Sequence, residues 1–167
     1  EWEDEPPRGE AGSAPVDSES ARIRLEKLLQ ASGLDEARPT QSDYAAEAAY
    51  AFSPRNEEGR PRILLAEAGT GTGKTLGYLA PASVWAERNQ GAAWISTYTR
   101  ALQRQIDRES AALWPDPAER RIKTVVRKGR ENYLCLLNLQ DMVQAAQLGT
   151  GDLIGLALTT RWAAHSR

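Results

Sequence analysis

Apolar positions along the chain recur with two periods. Over residues 21–31 the apolar side chains Ile23, Leu25, Leu28 and Leu29 fall at helical spacing and Gly33 marks a stop, so the spacing predicts a helix. A second helix is predicted over residues 40–52. Tyr44, Ala48 and Phe52 recur four apart on one face, and Thr40 with Asp43 has the spacing of a capping box. Three short apolar runs of strand length come next, "RILLAEA" (62–68), "AAWIST" (92–97) and "IKTVV" (122–126). Unbroken runs of this length read as strands buried on both faces, as in a parallel sheet. Helical patterns separate them: residues 74–89, where Pro81 predicts a kink or an early break, and residues 99–114, with Leu102, Ile106 and Leu113 inward and "WPDP" as the stop. Further helices are predicted over 131–146 and 153–164, parted by Gly149 and Gly151. The alternation predicts an α/β fold, a parallel sheet with flanking helices and right-handed crossovers.

Composition adds limits. The 167 residues are 41% hydrophobic, which suits one domain with one core. No apolar run approaches the ~18 residues of a membrane span, and the acidic start does not read as a signal peptide. One cysteine excludes an internal disulfide framework and fits a reducing cytoplasm. The net charge of −2 conceals an asymmetry. Residues 1–20 hold Glu1, Glu3, Asp4, Glu5, Glu10, Asp17 and Glu19 against Arg8 alone, so the remainder is mildly basic. The leader reads as solvated and disordered, with competition against an anionic ligand of the basic body as the sharper alternative.

The run before residue 68 leads into "AGTGTGKT" (68–75) and then a helical pattern, the setting of a phosphate-binding loop. Gly69, Gly71 and Gly73 permit positive φ and a close backbone approach. The amides of Ala68, Gly69, Thr70, Gly71, Thr72 and Gly73 are expected to point into one concavity, reinforced by the positive end of the helix. Lys74 is expected to reach the β- and γ-phosphates of ATP, and the Thr75 hydroxyl to hold Mg²⁺. These two are the candidate catalytic residues. The strict pattern asks for glycine at position 68, where this chain has Ala68.

Such a loop predicts nucleotide binding without choosing a reaction. A small-molecule kinase, another nucleoside triphosphatase, or a binding module without turnover would all use it. Three further stretches favour a nucleic-acid motor. In "RPTQ" (38–41), the Gln41 amide can both donate and accept, as the adenine edge requires. In "WISTYTRALQRQI" (94–106), Thr97 and Thr99 stand where a strand meets a helix, with Gln103 and Gln105 beyond, a place suited to strand phosphates. In "RRIKTVVRKGRENYLC" (120–135), Arg120, Arg121, Lys123, Arg127, Lys128 and Arg130 are six bases with no acid between them, and Tyr133 follows. Bases beside an aromatic suit single-stranded nucleic acid.

With "RPTQ", "AEAGTGTGKTLGYLAP", "ISTYTRALQRQI" and "KGRENYLC" in this order, the chain resembles the start of a DinG-type helicase, an iron–sulfur DNA helicase of superfamily 2 related to XPD. The resemblance runs from about Arg38 to Cys135. It implies a RecA-like first motor domain, incomplete here, over residues 21–134 after the leader of residues 1–20. The start of a helical iron–sulfur insertion would occupy residues 135–167. It also implies that Arg38 and Gln41 contact adenine, that residues 69–75 bind ATP and Mg²⁺, and that Thr97, Thr99 and Gln105 lie near the DNA strand; Lys128, Arg130 and Tyr133 are candidate nucleic-acid contacts by their own chemistry. Cys135 would be one ligand of a 4Fe–4S cluster in the complete protein. The implied activity is ATP-driven 5′ to 3′ translocation on single-stranded DNA, by a monomer in the cytoplasm.

The pattern also lacks parts. No acidic box of the DExH type is present: "QDMV" (140–143) has no buried strand before it, and Asp152 follows glycines. Motor ATPases need such an acid for Mg²⁺ and for the attacking water. The chain is therefore expected to be part of a longer protein and to hydrolyse ATP little by itself. His165, the sole histidine, receives no role.

Overall fold

The computed structural model describes residues 9–34, 38–54, 60–149 and 151–165. The chain divides into two units, residues 1–126 and 127–167.

The first unit is built on three helices. Asp17 caps α1 (Ser18–Ala31), its carboxylate accepting from the Ser20 N–H at 2.7 Å. The helix thus starts three residues before its apolar pattern does. The Ser20 hydroxyl and amide, with Arg88, hold the Asp17 carboxyl down to about 2 from its ordinary 3.8. A depressed carboxyl stabilises the fold above its unfolded value and loses that contribution as pH falls. Asp17→Ala is therefore expected to cost about 1 kcal/mol near neutrality. The difference from the parent should shrink between pH 3.8 and about 2, measured as thermal melts by circular dichroism.

Pro39 occupies the first turn of α2 (Pro39–Ala48), which a 3₁₀ turn extends over Ala49–Phe52. The capping box expected from Thr40 and Asp43 does not form. Arg38 is the cap residue, without a side-chain cap, and Asp43 pairs with Arg22 at 3.1 Å. The third helix, α3 (Lys74–Asn89), keeps the predicted bounds and continues through Pro81. Proline gives no N–H to the Gly77 carbonyl, yet Pro81 is fully buried within the packed length of the helix. Leu25, Leu28 and Leu29 of α1, Ala45 of α2, and Leu76, Leu79 and Ala80 of α3 form the core. Each buried leucine contributes roughly 1.5–3 kcal/mol relative to exposure. Val16, Ala21, Ala49 and Val84 form a second cluster, with Phe52 and Trp85 against it. Arg24 and Glu87 join α1 to α3 by a two-pronged ion pair.

Residues 9–17, ahead of α1, form a strap bound to the C-terminal end of α3. Asn89 accepts from the Ala14 N–H at 2.6 Å and donates to the Ala14 carbonyl at 3.0 Å, while Gly12 N–H meets the Asn89 carbonyl at 2.9 Å. Of the acidic leader, Glu1, Glu3, Asp4, Glu5 and Arg8 lie outside the described residues.

The parallel sheet of the predicted α/β, RecA-like fold is absent: among the described residues there is no strand. Residues 62–68 and 92–97 carry no regular structure. Leu65 is 93% exposed and Trp94 82%, the opposite of doubly buried strands. Apolar runs record a tendency toward burial but name no partner, and a strand exists only where a neighbour completes its hydrogen-bond ladder. Here the helices bury one another and leave those runs outside. The third expected strand is partly taken by a helix that the pattern missed, α5 (Pro117–Lys123), which includes Ile122. Asp116 caps it through the N–H groups of Ala118 and Glu119. Ahead of it lies α4 (Arg100–Glu109), followed by a 3₁₀ turn at Ser110–Ala112. Ile106 and Leu113 reach the core edge as expected, whereas Leu102 is 45% exposed.

The second unit holds a 3₁₀ turn at Arg130–Asn132, α6 (Leu136–Gln147) and α7 (Leu153–His165), with α6 packed on α7. Among the described residues no helix is long and apolar enough to cross a membrane.

Candidate nucleotide site

The glycines ahead of α3 bend the chain where the pattern placed the phosphate loop. Gly71 has φ +78° and Gly73 φ +75°, the left-handed region that side chains disfavour, and Gly73 is the cap residue of α3. Thr72 donates its hydroxyl to the Gly69 carbonyl at 2.9 Å. The Lys74 ammonium donates to the carbonyls of Ala68 at 2.8 Å and Gly69 at 2.5 Å. Two side chains reach the same loop from the start of α2. Arg38 donates to the Gly71 carbonyl at 3.2 Å, and the buried Gln41 donates through Nε2 to the Gly73 carbonyl at 3.0 Å. The loop is thus tied through its carbonyls. Among the described residues, the N–H groups of Gly71, Gly73 and Lys74 make no hydrogen bond, and no carboxylate pairs with Lys74. Free amides beside an uncompensated cation at a helix start suit an anion.

Packing fixes the loop from behind. A Cβ on Gly73 would lie 2.1 Å from Gln41 Nε2, and one on Gly77 would lie 2.6 Å from the Tyr44 ring. The two α2 residues and the two α3 glycines therefore fit together as one interface.

Thr75 is 8% exposed in the first turn of α3. Gln105 of α4 donates through Nε2 to its hydroxyl at 3.2 Å and to Glu109 Oε1 at 2.6 Å. Burial raises the Tyr78 phenol above its ordinary value, the nearby Thr75 hydroxyl opposes the rise, and the Glu109 charge adds to it. Tyr78 and Glu109 were not singled out in the sequence. The signal was spacing, since Tyr78 stands three residues after Thr75 and Glu109 four after Gln105, on shared helix faces.

Thr97 and Thr99 bracket the entry to α4. Thr97 donates to the Thr99 carbonyl at 3.4 Å, and Thr99 caps the helix by accepting from the Leu102 N–H at 3.2 Å. Thr70 is exposed at the tip of the phosphate loop. In the second unit, Lys128 donates its backbone N–H to the Tyr133 hydroxyl at 3.0 Å, and Lys128, Arg130 and Tyr133 are exposed.

A protein named ATP-dependent helicase DinG from Mycobacterium tuberculosis is 42% identical over 113 residues, which are 65% of this chain and 16% of that protein. The chain is a sequence relative of the DinG-type helicases. An ATP-dependent DNA helicase YoaA from Escherichia coli is 39% identical over 105 residues, 63% of this chain and 15% of that one. A Bacillus subtilis protein named 3′-5′ exonuclease DinG is 33% identical over 108 residues, 65% and 11% respectively. The chain thus spans about a sixth or less of each of these relatives. No family model matches it, and no solved structure gives a significant match.

The iron–sulfur cluster of the DinG-type resemblance does not fit these residues. A cubane takes four thiolates. This chain has Cys135 alone, exposed at the cap position of α6, and among the described residues no three His, Cys, Asp or Glu side chains converge for a metal. ATP and Mg²⁺ are a different matter, because the loop has donors and shape for phosphate and Thr75 carries a hydroxyl at its edge.

Proposed function

We propose that the chain binds ATP with Mg²⁺ through residues 68–75, as part of an ATP-dependent 5′-3′ DNA helicase of the DinG type acting on single-stranded DNA in the cytoplasm. The observation that carries the reading is the loop itself: two left-handed glycines, three unengaged amides and a lysine without an acidic partner, at the start of a 16-residue helix. The N–H groups of Gly71, Gly73 and Lys74 take phosphate oxygens. The Lys74 ammonium leaves its two carbonyls for the β- and γ-phosphates, and Thr75 supplies a hydroxyl to Mg²⁺. Arg38 and Gln41 brace the loop from α2, next to where the base would lie. Thr97, Thr99 and Gln105 in the first unit, and separately Lys128, Arg130 and Tyr133 in the second, are candidate contacts to DNA. Without an acidic box, the chain is expected to bind nucleotide with little turnover.

Lys74→Ala tests the reading. The lysine bonds only two exposed-loop carbonyls, so its loss should leave the melting temperature unchanged. Removing a charge-assisted contact to phosphate should weaken ATP binding about 10- to 100-fold in a fluorescence titration. Equal affinity of variant and parent would show that the loop is not the site.

A further inference from the structure

A hydroxyl that ligates a cation has to be aimed, and the neighbours of Thr75 do this. A threonine hydroxyl has one proton and two lone pairs. Inside the first unit, Gln105 Nε2 occupies one lone pair at 3.2 Å, and the hydroxyl keeps a second lone pair. The amide of Gln105 is itself oriented. Its nitrogen also donates to the Glu109 carboxylate at 2.6 Å, and a carboxylate accepts from an amide nitrogen but repels an amide oxygen. Thr75 is buried and β-branched, which limits its χ1 further. Glu109, Gln105 and Thr75 therefore form a chain in which each member sets the direction of the next.

We propose that Gln105 is a positioning residue for the Thr75 hydroxyl, held by Glu109, and that this chain presents the remaining Thr75 lone pair to the Mg²⁺ of a bound nucleotide. The inference rests on the nucleotide reading and deepens it. It makes α4 part of the cation site without any contact between α4 and the nucleotide. Groups one step removed from a metal ligand change metal affinity about 10- to 100-fold when lost.

The test is a Mg²⁺ titration of the 167-residue chain at fixed concentration of a fluorescent ADP analogue, with EDTA as the metal-free reference. Gln105→Leu keeps the volume and removes the donor. It should raise the Mg²⁺ concentration at half-saturation roughly tenfold or more while leaving the EDTA affinity unchanged. In a Thr75→Ala background the same substitution should add nothing, which a general loosening of α4 would not reproduce. A shift below twofold, or one that persists without Thr75, overturns the proposal. Should Gln105→Leu fail to fold, Gln105→Asn, which retracts the donor by one methylene, serves in the same cycle. A parent chain whose signal in EDTA equals that of Lys74→Ala would instead overturn the nucleotide reading, and this inference with it.

Discussion

Leu25→Ala lowers the unfolding free energy of the first unit by about 2–5 kcal/mol. Leu25 is fully buried where α1 meets α2 and α3, in contact with a cluster that includes Leu28, Ala45, Leu76 and Leu79. Truncation removes three carbon atoms from water-free packing and leaves a cavity that three mutually braced helices cannot collapse to fill. Small domains have only about 5–15 kcal/mol in total, so the variant should be partly unfolded at modest urea. Ile23, on the same helix and 45% exposed, is the internal comparison. Ile23→Ala should cost no more than about 1 kcal/mol. Urea titrations followed at 222 nm measure both. Equal midpoints for the two variants would mean that the three-helix core is not where the stability lies.

The second large effect is expected at the loop, from a pair of alanine substitutions that share one backbone strain. Gly71 and Gly73 have nearly the same positive φ, so each replacement carries a similar left-handed cost, roughly 1–3 kcal/mol. Their surroundings differ. A Cβ on Gly71 meets nothing within 4 Å, whereas one on Gly73 falls 2.1 Å from Gln41 Nε2. Gln41 is buried and bound to the Gly73 carbonyl, so it can yield only by giving up that hydrogen bond. Gly73→Ala should therefore lose at least tenfold more nucleotide affinity than Gly71→Ala, beyond the shared strain, since about 1.4 kcal/mol is a factor of ten. Isothermal titration with ADP reads the difference. Indistinguishable affinities would remove Gln41 from any part in shaping the loop.

Much of the helical framework was legible because its signals are local. Residues 74–89 form α3 with the bounds that their pattern predicts, since a glycine start and an apolar run of helix length need no distant information. The glycine-rich loop was legible for the same reason. The sheet was misread because strand formation is a statement about neighbours, and runs such as residues 62–68 contain none. Pro81 was misread in the other direction: a helix breaker by local rules, it survives inside α3 because tertiary packing holds both sides of the break. At the site, "RPTQ" pointed to Arg38 and Gln41. That both would grip loop carbonyls 33 and 32 residues away depended on how α2 lies against α3. Gln105 was chosen for DNA, and the fold turns it to Thr75 because α4 presents that face to the start of α3.

The strap at the N-terminal side of α1 has a consequence for long-range electrostatics. Arg88, which holds Asp17 at 3.3 Å, stands fourteen residues beyond Lys74 on α3. At 1.5 Å per residue that is about 21 Å of helix axis, more than two screening lengths in physiological salt. The carboxylate at the head of α1 is therefore electrically silent toward an anion at the loop. It could shadow that pole only in very dilute buffer, where the ionic atmosphere thins enough for opposite ends of one helix to sense each other.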